Sequence, residues 1–172
     1  MNLYWHSIKQ SHQDWLETIK TKRLGVIVQD GDLLLMEKNT NPGYNNMTSF
    51  LNTTLSKDID EVFSLETLQR KPIDLVSKRT GYNDLRYLKT LSWSIERSFH
   101  KPDKNHNETW IYKDSILVFE LISDNKKEID PSEHRESQRH TRQELDELLQ
   151  ADGSNGSSYL IKRLFDSQQE NA

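Results

Sequence analysis

Two adjacent basic residues, Lys78 and Arg79, lie at the end of a segment predicted to be helical. Together with Leu75 they follow an i, i+3, i+4 spacing, so a helix places all three side chains on one face. Arginine binds phosphate oxygens through a bidentate fork, and lysine supplies a point charge, so the pair could bind an anion directly. The alternative is that both cations stabilise the last turn of the helix through its dipole, by roughly 0.3–1 kcal/mol.

A second group of chemically capable residues is the acidic loop that contains Glu133, His134 and Glu136. Carboxylates and an imidazole this close in sequence could carry acid–base chemistry if their pKa values were shifted. The alternative is a loop of solvated charges.

The chain has no cysteine, which excludes disulfides, thiolate metal sites and cysteine nucleophiles.

The composition indicates one compact domain of 172 residues with a thin core and a highly charged surface. Hydrophobic residues make up 33% of the chain and charged residues 29%. The net charge of −4 argues against general nucleic-acid binding and against anionic membranes, since both favour basic proteins. No segment has the pattern of a signal peptide or a membrane span, so we expect a soluble cytoplasmic protein.

Three strand signals stand out in the sequence. Apolar runs on both sides of Asp30-Gly31 predict a β-hairpin with a tight turn. Alternating apolar and polar residues predict a half-buried strand from Leu85 to Phe99. The apolar run from Ile116 to Ile122 predicts a strand covered on both faces.

Helical patterns recur between and around these strands. We expect an N-terminal helix over about 11–21 and a C-terminal helix over about 158–168, the latter after a Gly/Ser linker. A central helix should end at Thr80 and begin near Lys71, or bend there, because Pro72 is tolerated only in a first turn. Gly81 should close that helix with a positive φ. A further helix should follow the capping box formed by Thr141 and Glu144.

Residues 74–82, D-L-V-S-K-R-T-G-Y, resemble the end of the signature box of the Nudix hydrolase family. That box runs G-x5-E-x7-R-E-U-x-E-E-x-G-U, with U a bulky apolar residue. Four positions of the box are matched here, by Glu66, Val76, Gly81 and Tyr82. Five are replaced: the first Gly by Asp60, the Arg by Asp74, and the three clustered Glu by Leu75, Lys78 and Arg79. The apolar runs around Asp30-Gly31 and the T-R-Q-E-L-D-E-L segment resemble the family's opening strands and its late helix.

The resemblance implies an α/β fold, the Nudix-like α/β/α sandwich with a mixed, curved β-sheet. It would form a single domain over 1–172, with its core at about 22–150. In that family the clustered Glu hold the magnesium ions that activate phosphoanhydride bonds. Exchanging two carboxylates for Lys78 and Arg79 raises the local charge by about four units, which repels a cation.

Two functions follow from the resemblance. In the first, the chain is a catalytically degenerate binding or assembly module that needs no cofactor. Its partner would be a protein, or a nucleotide- or phosphate-like ligand bound by Lys78 and Arg79. The module could also form a homodimer. In the second, it is a divergent Nudix hydrolase that cleaves a nucleoside-diphosphate-linked compound, with magnesium and the non-standard catalytic carboxylates Glu66, Glu133 and Glu136. A third alternative is an unrelated α/β domain without a loop and helix at 64–82.

Overall fold

The structure is a computed structural model that describes residues 16–40, 47–101, 106–151 and 156–170. Across these residues the chain forms seven strands and three helices. The strands are β1 (Leu16–Asp30), β2 (Leu33–Asn39), β3 (Met47–Ser49), β4 (Leu51–Ser56), β5 (Leu85–Lys101), β6 (His106–Leu121) and β7 (Ser137–Thr141). The helices are α1 (Leu65–Thr80), α2 (Arg142–Ala151) and α3 (Gly156–Glu170).

The described strands form one sheet in the order β3-β2-β1-β6-β5, with β4 paired to β1 and β7 paired to β2. Strand β2 runs antiparallel to β1, β3 and β7. The predicted α/β class with a mixed sheet is confirmed. Among the described residues, no helix is both long and apolar enough to span a bilayer.

The chain divides into two compact units. The first contains the described residues within Met1–Leu24, Thr53–Val62 and Ser92–Ser115. The second contains those within Gly25–Asn52, Phe63–Leu91 and Ile116–Ala172, and it carries both candidate sites of the sequence analysis. The single-domain expectation for 1–172 stays a prediction.

The first unit contains a buried carboxylate, that of Asp114, whose side chain is 3% exposed. Arg23 binds it through a bidentate fork, with Nε 2.8 Å from Oδ1 and Nη2 2.7 Å from Oδ2. The indole N–H of Trp93 donates to the same carboxylate at 2.8 Å. Asp114 is therefore fully engaged in charge-assisted hydrogen bonds, which is what a buried carboxylate needs.

The predicted hairpin is confirmed. Asp30 pairs with Leu33, so the loop consists of Gly31 and Asp32. Gly31 has a φ of 59°, in the region where a side chain is disfavoured. Both predicted strands are also present, as β5 and β6, and Ile116 to Phe119 are all fully buried. The predicted end at Ile122 is wrong, because β6 ends at Leu121 and Ile122 is 49% exposed.

The alternation predicted for β5 holds in the described side chains except at Thr90, which is half-buried. Leu91 is buried, while Leu85, Tyr87 and Trp93 are half-buried. The polar residues Arg86, Ser92 and Ser94 are exposed. The side chains of Ile95 and Phe99 lie outside the described part of the chain.

Two predicted elements differ from the structure. The N-terminal helix over 11–21 is wrong for residues 16–21, which lie in β1, and its first part falls outside the described residues. The β-branched residues Thr18, Ile19 and Thr21 fit a strand better than a helix. The helix α3 contains the range 158–168 but already starts at Gly156, so the predicted linker over 152–158 is wrong for its last residues.

Candidate functional site

Helix α1 presents the three residues that align with the clustered Glu of the box. It starts at the N-cap Ser64, whose hydroxyl accepts a hydrogen bond from the backbone N–H of Thr67 at 3.2 Å. The predicted start near Lys71 is therefore wrong, because the helix is capped by Ser64, begins at Leu65 and contains the buried Pro72. The alternative of a bend at this position stays a prediction. The predicted end at Thr80 is confirmed.

Gly81 closes α1 as predicted, with a φ of 87° and a hydrogen bond from its N–H to the carbonyl of Ser77 at 2.9 Å. A Cβ at this position would lie 3.1 Å from the carbonyl oxygen of Lys127. The carbonyl of Gly81 in turn accepts a hydrogen bond from the N–H of Lys127 at 2.9 Å. The absence of a side chain thus lets the segment after β6 approach the end of the helix.

An open cleft of about 340 Å³ lies between the end of α1 and the loop before β7. The side chain of Lys78 is exposed there and has no hydrogen-bond or ion-pair partner among the described residues. The cleft is lined by Thr40, Leu75, Lys78, Arg79, Ser132, Glu133, His134 and Arg135. Lys78 and Arg79 therefore lie in one place with Glu133 and His134 of the acidic loop, and cations exceed carboxylates in the lining.

Behind the cleft, the carboxylate of Glu37 on β2 bridges two arginines. Its Oε1 accepts from Nη1 of Arg79 at 2.8 Å and from Nη1 of Arg135 at 2.9 Å. The side chain of Glu37 is 1% exposed, and those of Arg79 and Arg135 are 17% and 16% exposed. We call these three residues the Glu37 triad; it carries one net positive charge when all three are ionised.

Burial is the largest influence on the pKa values of Glu37 and Arg79. It raises the pKa of Glu37 above its usual value, although both arginines act in the opposite direction. Burial also lowers the pKa of Arg79, opposed mainly by Glu37, but a guanidinium remains charged at any physiological pH. The second oxygen of Glu37, Oε2, is buried and has no partner among the described residues.

The guanidinium of Arg79 is only partly used within the protein. Its Nη1 donates to Glu37 and also to the carbonyl oxygen of Asn52, at 3.2 Å. Among the described residues, its Nε and Nη2 have no acceptor. Arg79 therefore keeps donors for a ligand, although one edge of the group is fixed by the fold.

The three predicted catalytic carboxylates are not brought together. Glu133 lines the cleft and is exposed. Glu136 lines a separate small cavity, of about 10 Å³, beside Glu37. Glu66 is exposed in the first turn of α1, which at 1.5 Å per residue lies roughly 18 Å along the helix axis from Lys78.

The residues of the cleft do not fit a magnesium site. Magnesium prefers several oxygen ligands in octahedral geometry. Leu75, Lys78 and Arg79 supply none, and Glu133 is the one carboxylate in the described lining. Across the described residues, no three His, Asp or Glu side chains lie close enough together to hold a metal ion.

Sequence reasoning missed Glu37 and Arg135. A signal for the first was present, because Glu37 shares its face of β2 with the buried Leu35 and follows an apolar run. A carboxylate at an inward position is almost always paired with a cation. The identity of that cation was not accessible, since Arg79 and Arg135 lie 42 and 98 residues away along the chain.

No protein-family model and no curated protein matches the chain. Among solved structures, it resembles the "Crystal structure of ADP compounds hydrolase", with a TM-score of 0.52 and 18% identity over 88% of this chain and 75% of the other. The chain has a Nudix-like fold. A second similar structure is a NUDIX hydrolase from Nitrosomonas europaea, with a TM-score of 0.44 and 9% identity over 88% of this chain and 90% of that one. A third is the NUDIX domain of Shewanella oneidensis NrtR complexed with ADP ribose, with a TM-score of 0.46 and 7% identity over 86% of this chain and 88% of that one.

Within this Nudix-like fold, the end of the box alignment agrees with the local structure. The glycine of the box corresponds to Gly81, which ends a helix, and the apolar position before it corresponds to Val76, which is fully buried. The loop and helix expected at 64–82 are present, so the alternative of an unrelated domain is not favoured.

Proposed function

We propose that the cleft binds a nucleotide-like ligand through its diphosphate group and holds it without cleaving it. The observation that carries this proposal is that Lys78 and Arg79 line the same cleft. Each charge-assisted hydrogen bond from such a cation to a phosphate oxygen contributes roughly 1.5–3 kcal/mol. Arg135 adds a third cation to the lining, and Glu133 adds the opposing carboxylate.

The replacement of the box glutamates supports retention of the ligand rather than cleavage. In the alignment, Leu75, Lys78 and Arg79 occupy the positions of the carboxylates that hold magnesium in the family. A lysine and an arginine there neutralise phosphate charge themselves, so binding needs no metal. The same two cations repel a divalent ion from the site.

A second candidate function is hydrolysis of a nucleoside-diphosphate-linked compound. It is favoured by the likeness in fold to a protein described as an ADP compounds hydrolase. Of the predicted catalytic carboxylates, Glu133 is the one that lines the cleft and could act on a bound ligand as a general base. The fold likeness thus favours this second candidate, whereas the side chains of the cleft favour the first. A protein partner and a homodimer stay predictions.

Isothermal titration calorimetry with ADP and ADP-ribose tests the proposal. The wild type should bind in the presence of a chelator, more weakly at higher salt because surface charges are screened. Lys78→Ala combined with Arg79→Ala should weaken binding by at least about tenfold, corresponding to 1.4 kcal/mol. The matched control removes two exposed cations from the same helix outside the cleft, Arg70→Ala with Lys71→Ala, and should leave binding unchanged.

Product analysis separates the two candidates. Incubation of the same ligands with magnesium or manganese should yield no cleavage above background if the ligand is only held. Metal-dependent turnover that disappears in Glu133→Gln would establish the second candidate instead. Absence of binding to the wild type under all conditions would contradict both.

A further inference from the structure

The buried carboxylate of Glu37 has a role that rests on the proposed function and deepens it. We propose that Glu37 is a positioning residue, which holds Arg79 so that its Nε–Nη2 edge serves as a bidentate fork for one phosphate of a diphosphate ligand. Glu37 itself is 1% exposed, so it acts through Arg79 and not on the ligand. Lys78, the next lining cation, then neutralises the other phosphate as a point charge.

Two acceptors in the fold fix the Nη1 group of Arg79. A guanidinium carries two N–H groups on Nη1, and here they have two acceptors, Oε1 of Glu37 at 2.8 Å and the carbonyl oxygen of Asn52 at 3.2 Å. The group is planar, so fixing Nη1 from two directions fixes the orientation of the remaining N–H groups. The edge formed by Nε and Nη2 therefore has one defined direction.

The Nε–Nη2 edge of an arginine recognises a pair of oxygens on one anionic group. The N–H groups of Nε and Nη2 are nearly parallel and match two oxygens of one carboxylate or phosphate. Arg23 in the first unit uses this same edge on Asp114, at 2.8 and 2.7 Å. In Arg79 no described residue occupies it, and Arg79 is part of the cleft lining.

The carboxylate of Glu37 also holds two positive charges close together. Arg79 and Arg135 bind the same oxygen of Glu37, so two positive charges are held next to each other. Their repulsion favours separation, and the single negative charge of Glu37 opposes it. The backbone N–H of Arg135 also donates to the carbonyl of Arg79 at 3.1 Å, which keeps the loop against the helix. Both arginine side chains are therefore already ordered when a phosphate enters the cleft. Binding then loses less side-chain conformational entropy.

Calorimetry with inorganic pyrophosphate and with inorganic phosphate tests this role. Pyrophosphate should bind to the wild type at least about tenfold more tightly than phosphate, because a second cation engages the second phosphate. Arg79→Lys keeps the charge but removes the fork, and should weaken pyrophosphate binding by about tenfold. Lys71→Arg, an exposed change on the same helix, should have no effect.

Glu37→Gln is the decisive variant, because Glu37 could affect the affinity for pyrophosphate in two ways that have opposite signs. If Glu37 only reduces the positive charge near the cleft, its neutralisation tightens pyrophosphate binding. If it positions Arg79, the loss of the charged acceptor weakens binding, by about threefold to tenfold. Tighter or unchanged binding in a folded Glu37→Gln protein would overturn the positioning role.

A double-mutant cycle distinguishes positioning from a general effect on the fold. The weakening caused by Glu37→Gln should disappear in the Arg79→Lys background, because there is no fork left to position. An equal weakening in both backgrounds would overturn the inference. If Glu37→Gln does not fold, Glu37→Asp supplies the same cycle, since it keeps the charge but withdraws the carboxylate by one methylene.

The failure of this inference is separable from that of the proposed function. If pyrophosphate binds to the wild type and is weakened by Lys78→Ala with Arg79→Ala, but not by Glu37→Gln or Glu37→Asp, only the positioning role is wrong. If the wild type binds neither pyrophosphate nor ADP, both proposals are wrong.

Discussion

The backbone N–H of Arg135 donates a hydrogen bond of 3.1 Å to the carbonyl oxygen of Arg79, one of the last carbonyls of helix α1. The last carbonyls of a helix have no partner within it, so they need one from elsewhere. This bond supplies it and brings the side chains of both residues to the carboxylate of Glu37. One backbone contact therefore ties together the two walls of the cleft and the Glu37 triad behind it.

Removing the carboxylate of the Glu37 triad should destabilise the protein strongly. Glu37→Ala leaves two adjacent arginines, 17% and 16% exposed, without their common acceptor. We expect a loss of about 3 kcal/mol in the free energy of unfolding, the lower end of the range for breaking a buried pair. Urea denaturation measures it, with exposed Glu136→Ala as the control, for which we expect less than about 0.5 kcal/mol. Equal effects in the two variants would show that the triad contributes little.

The same carboxylate should make stability depend on pH in a defined direction. Burial raises the pKa of Glu37 above the usual 4.5, so the unfolded chain releases this proton at lower pH than the folded one. The part of the stability that comes from proton binding to Glu37 is therefore fully present below pH 4.5 and is lost as the pH rises through its folded-state pKa, whereas the ion pairs with both arginines remain above that pH.

The difference in unfolding free energy between wild type and Glu37→Gln isolates this contribution, because the other carboxylates are common to both. In urea denaturation from pH 4 to pH 8, the unfolding free energy of the wild type should fall relative to that of Glu37→Gln as the pH rises. If the unfolding free energy of the wild type rises relative to that of Glu37→Gln over the same interval, the two arginines outweigh burial and lower the pKa of Glu37.

Gly81 should be the less replaceable of the two positive-φ glycines. Gly81→Ala meets both an unfavourable φ of 87° and a Cβ that would lie 3.1 Å from the carbonyl of Lys127. Gly31→Ala meets only the unfavourable φ of 59°, with no atom within 4 Å of its Cβ. We expect Gly31→Ala to cost about 1 kcal/mol and Gly81→Ala clearly more, measured by urea denaturation. A smaller loss at Gly81 than at Gly31 would contradict the close approach seen there.

Elements governed by local turn and cap chemistry were predictable from the sequence. The loop at Gly31, the end of α1 at Gly81 and the capping box before α2 all rest on residues close together in the chain. In that box, Thr141 Oγ1 accepts from the N–H of Glu144 at 3.2 Å, and Glu144 Oε2 accepts from the N–H of Thr141 at 3.4 Å. Such signals need no knowledge of the rest of the fold.

Elements decided by distant partners were not predictable in the same way. The spacing of Ile8, His12, Trp15 and Ile19 predicts a helix that includes residues 16–21, yet these residues belong to β1. The proline rule predicts a start of α1 near Lys71 or a bend there, whereas the helix begins after the Ser64 cap. The Glu37 triad joins β2, α1 and the loop before β7, and no local pattern links these three segments.

The central claim is that the cleft holds a diphosphate by its own cations, without metal and without cleavage. Phosphorus-31 NMR of ADP tests both parts in one sample, first with a chelator and then with excess magnesium. We predict that the ADP resonances shift on addition of protein before any metal is present, and that the ligand stays intact after magnesium is added. Resonances that shift only once magnesium is present, followed by the appearance of cleavage products, would contradict the claim and establish a metal-dependent hydrolase.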